Sequence, residues 1–129
     1  MISRIATFRD YSKLAELVNN TELIAKWMMH NKENSNTLSL ITIEKKKVIA
    51  CFLCEYVDNT KGIESMLLLF PDGKPEIGKF LLDKSIQHFK DNKKNPEFVQ
   101  LLGMFHDSEQ YEKMNMKPYE TNYRMELKS

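Results

Sequence analysis

The amino-acid sequence predicts an α/β fold in which a mixed β-sheet is flanked by helices, with the whole chain, residues 1–129, forming one domain. The first observation is length, because 129 residues suit a single domain that buries about two-thirds of its unfolded surface. The second is periodicity: short alternating or continuous apolar runs are separated by segments whose apolar residues recur every three to four positions. The predicted element order is β-α-α-β-β-β-α-β-α-β, which is typical of a mixed sheet.

The N-terminal part is predicted to contain one strand and two helices. Residues 2–8 alternate weakly and form the first predicted strand. Asp10 is a candidate N-cap for a helix whose apolar positions keep the helical period, namely Tyr11, Leu14, Ala15 and Val18. Thr21 is the candidate N-cap of a second helix over 22–30, with an apolar face formed by Leu23, Ile24, Trp27 and Met28. A polar loop is expected over 31–36.

Three strands are expected in the middle of the chain. Residues 38–43 and 48–57 are apolar and separated by a charged turn over 44–47, which predicts an antiparallel hairpin. A second turn over 58–62 contains Asp, Asn and Gly and leads to a strand over 63–70. The end of that strand is so apolar that both of its faces must be covered.

The C-terminal part is predicted to begin with a long helix. Pro75 suits its first turn, and the apolar face consists of Ile77, Phe80, Leu81, Ile86 and Phe89. A strand over 98–105 follows, then a short helix capped by Asp107 and ended by a left-handed Asn115, and a last strand over 119–127. Because the long helix must cross over to a parallel neighbour while hairpins join antiparallel strands, the sheet mixes strand directions.

Charge and hydropathy exclude two classes of function. There are 19 Lys and Arg against 18 Asp and Glu, a formal net charge of +1, so the positive field that nucleic-acid binding requires is absent. No apolar run approaches the roughly 20 residues that span a bilayer, and the N-terminus lacks the apolar stretch of a signal peptide. We therefore expect a cytoplasmic protein with no nucleic-acid and no membrane partner.

Cys51 and Cys54 form a C-x-x-C motif inside a predicted strand. Residues three apart in a strand point to opposite faces, about 10 Å apart, so this pair cannot form a disulfide. A structural zinc would need two further ligands, which the three histidines do not supply at the usual spacing. We expect buried structural thiols and no metal site.

The segment over 71–78, PDGKPEIG, leads directly into the long helix. A helix N-terminus has about four unpaired backbone N–H groups and roughly half a positive charge, so it can hold a pyrophosphate without a basic patch. Gly73 and Gly78 permit close backbone approach, and Lys74 and Lys79 could add charge. The alternative is a helix start that simply places Glu76 near its own positive end.

The element order and two segments resemble the GCN5-related N-acetyltransferase (GNAT) family over essentially the whole chain. The segment LFPDGKPEIGKFLL, residues 69–82, resembles the family's strand, pyrophosphate loop and helix, and YEKMNM, residues 111–116, resembles its frequent F-Y-E-K-x-G-F. The resemblance implies acetyl-coenzyme A as cosubstrate. It further implies that the loop residues Gly73, Lys74, Ile77, Gly78 and Lys79 bind the pyrophosphate. The pantetheine arm would lie between two splayed strands, on the backbone of Leu68, Leu69 and Phe70.

Two residues are candidates for catalysis. The resemblance implies that Tyr111 protonates the departing thiolate, and a phenol with an ordinary pKa of about 10 matches that task. Glu64, at the start of its strand, is where the family sometimes has a general base, and partial burial would raise the pKa of a carboxylate there. The alternatives are a Tyr111 ring packed under its helix with the hydroxyl at the surface, and an exposed strand-end Glu64.

Four further residues have a structural and a functional interpretation. Trp27 is either ordinary core or a border of the acceptor site. His30 ends a helix and would interact with its dipole, while His88 is expected at or near the surface and His106 in a capping loop. None of the three histidines is chosen as a catalytic residue.

The expected function is an N-acetyltransferase that moves an acetyl group directly from acetyl-coenzyme A to a primary amine of a small-molecule or peptide acceptor. The sequence departs from the family pattern at Gly73, where Arg or Gln is usual, at Glu76, where Gly is usual, and at Met104, where Asn is usual. These departures favour the alternative, a ligand-sensing or protein-binding module without transfer chemistry. A homodimer formed through an exposed last strand is a further option.

Overall fold

The fold is built around a seven-stranded mixed sheet. A computed structural model describes residues 1–102 and 107–127. Its strands are β1 (Ile2–Ile5), β2 (Thr37–Glu44), β3 (Lys47–Val57), β4 (Gly62–Leu69), β5 (Phe98–Leu102), β6 (Lys117–Tyr119) and β7 (Asn122–Glu126). Their order across the sheet is β1-β2-β3-β4-β5-β7-β6, and every neighbouring pair is antiparallel except β4 and β5. The predicted mixture of strand directions is confirmed.

Helices cover both faces of the sheet because the apolar strands need cover on each side. They are α1 (Tyr11–Val18), α2 (Thr21–Glu33), α3 (Pro75–Asp91) and α4 (Ser108–Lys113). One core contains Leu14, Ile24 and Trp27 of α1 and α2, packed with strand residues such as Ile41 and Leu67. The other core unites α3, α4 and the opposite strand face, and includes Leu40, Phe52, Leu81, Val99 and Tyr111. Within the described part of the chain, no helix combines the length and apolar character needed to cross a bilayer.

The two cysteines lie on opposite faces of β3, as predicted. Cys51 belongs to the core under α1 and α2, Cys54 to the core under α3, and both thiols are free and fully buried. Burial raises the pKa of Cys51 to about 12. Burial, with a smaller contribution from the charge of Glu55, also raises the pKa of Cys54 well above its ordinary value. The interpretation as structural thiols is confirmed.

Helix caps differ from the prediction at both N-terminal helices. Asp10 occupies the N-cap position of α1, but its side chain forms no capping hydrogen bond with that helix, and the residue also ends a 3-10 turn (Phe8–Asp10). Its carboxylate accepts two hydrogen bonds from the Arg4 guanidinium, at 2.7 and 3.0 Å, and one from the Thr7 amide at 2.6 Å. Asn20, not Thr21, caps α2, because its side-chain oxygen accepts from the backbone of the residue at N3. A buried carboxylate beside a guanidinium gains more from that ion pair than from capping.

The C-terminal part contains one strand more than predicted. A turn at residues 120–121, with Glu120 at φ 56°, divides the predicted last strand into the hairpin of β6 and β7. Since β7 pairs with both β5 and β6, the expectation that the last strand is an exposed edge is wrong. The sheet edges are β1 and β6.

Other C-terminal features agree with the prediction. The side chain of Asp107 accepts from the Gln110 amide at 3.1 Å, and Asn115 has a left-handed φ of 66°. Residues 103–105 of the predicted strand, including Met104, lie outside the described residues, as does His106.

Candidate active site

The parallel strands β4 and β5 diverge in the middle of the sheet. They pair at Gly62 with Phe98, at the next position along each strand, and at Glu64 with Gln100. Beyond that point, within the described residues, β4 pairs only with β3, and β5 pairs only with β7. A gap between two central strands therefore opens directly after Glu64, where the family resemblance implies a cleft.

Two local features accompany this divergence. At the closed end, a Cβ on Gly62 would lie 2.1 Å from Cζ of Phe98, so only glycine lets the aromatic ring lie against the β4 backbone. At the open end, Leu53 pairs with Leu67 and the next residue of β3 pairs with Ser65. Met66 is therefore an extra residue, a β-bulge, and bulges bend the strand and redirect its side chains.

A pocket of about 420 Å³ lies beside this gap. Its walls come from α2, from β3, and from the bulged segment of β4. The lining residues are Lys26, Trp27, His30, Glu55, Glu64, Ser65 and Met66. Glu64, the base suggested from the sequence, thus faces a pocket at the point where β4 leaves β5. Trp27 belongs to the core, since it is only 3% exposed, and it also lines this pocket.

A hydrogen-bond network fixes one side of the pocket. The carboxylate atom Glu55 Oε2 lies 3.1 Å from His30 Nε2 and accepts from Asn34 Nδ2 at 3.0 Å. The His30 ring lies 5.6 Å from that of Trp27, whose Nε1 donates to Ser39 Oγ at 2.7 Å. From the sequence, His30 is expected only as a helix-end residue, and Glu55 is not among the candidate site residues.

Glu55 and Glu64 are directly opposite each other on adjacent antiparallel strands. Directly opposite residues point to the same face of the sheet, with Cβ atoms about 4.5–5.5 Å apart. Counting residues outward from the predicted turn over 58–62 could have predicted that Glu55 and Glu64 are opposite each other. This would have required the register of the two strands that the turn connects. The pocket therefore contains two neighbouring carboxylates of like charge.

Several backbone amides of the predicted phosphate loop already donate hydrogen bonds within the protein. Gly73, at φ 77°, donates its amide to the side-chain oxygen of Gln110 at 3.1 Å. The Lys74 amide donates to a loop carbonyl, and the Ile77 amide donates to the Lys74 carbonyl, both at 3.1 Å. Ile77 was predicted to contact the cofactor, but its amide is thus already engaged. Among the described residues, the amide of Glu76 has no partner.

Gly78 and Lys79 have local partners as well. A Cβ on Gly78 would lie 2.7 Å from both Phe70 Cδ1 and Met114 Sδ, so this glycine lets α3 pack closely on the end of β4 and on the residue that follows α4. The Lys79 ammonium forms an ion pair with Asp83 one turn along the helix. Gly78 therefore serves close packing, and the Lys79 side chain is engaged on the helix surface.

The remaining predicted residues lie in or near the core. Leu68 is 3% exposed and Phe70 is 5% exposed, while Leu69 continues the pairing with β3. Tyr111, on α4, is 1% exposed, and its ring stacks on Tyr123 at 4.6 Å. The expectation of a packed Tyr111 ring is confirmed, but the expectation that its hydroxyl lies at the surface is wrong, because the whole residue is buried. Tyr111 does not line the pocket that contains Glu64.

Within residues 1–102 and 107–127, no three His, Cys, Asp or Glu side chains come together in a way that could hold a metal ion.

Comparison with known proteins supports the fold. No family model matches the chain, and no curated protein matches it, but many solved structures do. A GNAT-family acetyltransferase from Staphylococcus aureus has 16% identity and a TM-score of 0.71, over 98% of this chain and 99% of its own. A GNAT-family acetyltransferase from Brucella melitensis in complex with acetyl-CoA has 13% identity and a TM-score of 0.71, over 99% and 88%.

A third similar structure is an aminoglycoside 6'-N-acetyltransferase from Enterococcus faecium. It has 12% identity and a TM-score of 0.69, over 96% of this chain and 94% of its own. At such identities the likeness concerns the backbone, which agrees over nearly the full length of all three proteins. The chain therefore has the fold of the GNAT acetyltransferases.

Proposed function

We propose that this protein is an acetyl-CoA-dependent N-acetyltransferase that transfers the acetyl group directly to a primary amine. The observation that carries the proposal is the pocket containing Glu64 at the point where β4 leaves β5. A thioester held in the gap between the two strands would present its carbonyl carbon to an amine in this pocket. The acetyl-CoA complex of the similar Brucella protein supports the choice of cosubstrate.

Two side chains are proposed to transfer protons, one at the acceptor amine and one at the coenzyme A sulfur. An amine arrives as an ammonium ion and must lose a proton to become a nucleophile, and Glu64 is the proposed acceptor of that proton. The nitrogen then attacks the thioester carbonyl carbon, an N–C bond forms, and the C–S bond breaks. The second amine proton leaves to solvent as the amide forms, and Tyr111 is the proposed donor that protonates the coenzyme A thiolate.

The coenzyme contacts follow the strand and the loop. We propose that the pantetheine arm lies along the backbone of residues 68–70 (Leu68, Leu69 and Phe70). The pyrophosphate would lie at the start of α3, near the Glu76 amide, which has no partner in the described part of the chain, and near the exposed Lys74 side chain. Gly73, Ile77, Gly78 and Lys79 then act by shaping the loop and the first helical turn.

The experiment combines coenzyme binding with turnover. Acetyl-CoA should raise the melting temperature, because a ligand at one hundred times its Kd stabilises by about 2.7 kcal/mol. Tyr111→Phe and Glu64→Gln should each lower kcat by roughly 10²- to 10⁴-fold, the range for a lost general acid or base. Glu97→Gln, an exposed charge change outside the pocket, is the control. Coenzyme affinity should stay within about twofold in all three variants.

Failure would take two forms. No thermal shift at millimolar acetyl-CoA would exclude the transferase. Full activity in Tyr111→Phe or Glu64→Gln would remove that residue from the mechanism.

The second candidate is a ligand-binding module without transfer chemistry. It is favoured by the loop itself, where the Gly73 and Ile77 amides are already engaged and Glu76 brings a negative charge beside the proposed phosphate position. This candidate predicts that an amine binds in the pocket while acetyl-CoA does not bind. Calorimetric titration with each ligand separately distinguishes the two functions.

A further inference from the structure

We propose that Glu55 is a specificity-determining residue and that the pocket takes an acceptor with two cationic groups. The reactive amine would lie at Glu64, and a second ammonium group, a few bonds away on the same molecule, would form an ion pair with Glu55. A short aliphatic diamine is the simplest molecule of this class. The inference rests on the proposed function for the role of Glu64, but its binding step can be measured without catalysis.

The strand register places the two carboxylates at one end of the pocket. Because Glu55 and Glu64 are a directly opposite pair, their side chains leave the sheet on the same side, about 5 Å apart at Cβ. Like charges in such a pair destabilise a sheet. A ligand that brings two positive charges removes that repulsion, whereas a monoamine compensates only one of the two.

Glu55 is held in position and keeps one oxygen available. Its Oε2 atom is shared by His30 and Asn34, which limits rotation of the carboxylate. Its Oε1 atom has no partner among the described residues, and its side chain is 32% exposed. A fixed carboxylate loses little conformational entropy when it binds a cation, so its contribution to selectivity is larger than that of a mobile surface carboxylate.

The lysine of the wall is paired elsewhere, and the wall offers an apolar contact. Lys26 lines the pocket, but its ammonium lies 3.4 Å from the Glu22 carboxylate, and its side chain is 74% exposed. Trp27 and Met66 provide apolar surface against which methylene groups can pack. A volume of about 420 Å³ suits a short chain between the two ammonium groups.

The test compares three ligands of equal chain length. They are 1,4-diaminobutane, whose chain ends in a second cationic group, 1-aminobutane, whose chain ends in a methyl group, and 4-aminobutanoate, whose chain ends in an anionic carboxylate. Binding to the wild-type protein is measured by calorimetric titration without coenzyme. Acetylation of each compound is then measured by release of the coenzyme A thiol. We expect the diamine to bind and react about five- to twentyfold better than the monoamine, the range for a half-buried ion pair, and the anionic compound to be poorest.

Two variants with the same loss of charge complete the design. Glu55→Gln keeps an oxygen that can accept from His30 and Asn34, so it should fold, and it should reduce the preference for the diamine to within about twofold. Glu97→Gln changes an exposed charge away from the pocket and should leave the preference unchanged. Melting temperatures of both variants show whether each is folded under the assay conditions.

The outcomes separate this inference from the proposed function. If the diamine binds with a preference that depends on Glu55 but nothing is acetylated, the cation site stands and the transferase proposal fails. If amines are acetylated without preference for the diamine, the transferase stands and the role of Glu55 is refuted. Equal preference in Glu55→Gln and wild type, or no binding of the diamine, also refutes it.

Discussion

Replacing Gly78 by alanine would show what this glycine does. The residue lies in the first turn of α3, and in a helix alanine is normally favoured over glycine by about 1 kcal/mol. A Cβ here, however, would lie 2.7 Å from Phe70 Cδ1 and from Met114 Sδ, whereas ordinary contacts begin at 3.4 Å. Each neighbour would have to retreat by about 0.7 Å, and both belong to the same core.

The two effects have opposite signs, and packing should win. Overfilling a well-packed core costs about 1–3 kcal/mol, so after the gain in helix propensity we expect a net loss of about 1 kcal/mol in the free energy of unfolding. With a urea dependence of about 2 kcal/mol per molar, the unfolding midpoint followed by far-UV circular dichroism should fall by about 0.5 M. Lys90→Ala, at an exposed position of the same helix, is the control and should change stability by less than about 0.5 kcal/mol.

A midpoint for Gly78→Ala equal to or above that of the wild-type protein would refute this reasoning. Phe70 and Met114 would then yield freely, and the glycine would be needed for something other than packing. If that stable variant also lost affinity for acetyl-CoA, close approach of the coenzyme to Gly78 would be the explanation.

Three further predictions concern charge and burial. The ion pair with Arg4 holds the pKa of Asp10 well below its usual range. The stability that this ion pair contributes is therefore fully present above the unfolded-state pKa of about 3.9. It is lost as the pH falls through the lower folded-state pKa. Asp10→Asn should therefore cost about 1–3 kcal/mol at pH 7 and less in acid; urea titrations showing a constant difference from pH 7 to pH 2 would contradict this. Cys51 and Cys54 should react with a thiol reagent only as fast as the protein unfolds, and prompt labelling without urea would disprove their burial. Glu76→Gln should tighten acetyl-CoA binding a few-fold by calorimetry, since it removes a negative charge beside the proposed phosphates, and an unchanged Kd would mean that the carboxylate points away.

Local patterns explain why much of the fold could be predicted. The hairpin of β2 and β3 follows from two apolar runs around a charged turn, and its two-residue loop is formed by Lys45 and Lys46 with left-handed φ values of 51° and 67°. The apolar period of α3 likewise predicted which face packs on the sheet. These signals depend on residues two to four positions apart, which any strand or helix must satisfy wherever it lies.

Features that depend on a distant partner were predicted less well. Asp10 resembles an N-cap in sequence, and only the path of β1 shows that Arg4 reaches its carboxylate. The turn that divides β6 from β7 contains Glu120 in a left-handed conformation, and nothing in the residue type requires that conformation. In both places a tertiary contact or a turn prevailed over a weak local preference.

The candidate site shows the same division. Sequence alone determined the order of the elements from β1 to α4, the resemblance that pointed to Glu64 and Tyr111, and the opposite faces of the two cysteines. Tertiary structure alone decided that His30 and Glu55, 25 positions apart, meet beside Glu64, and that Gly78 lies against neighbouring side chains. The physical reason is that secondary structure follows from interactions within a few residues, whereas a pocket is formed by strand register and by the packing of one element on another, which no local periodicity specifies.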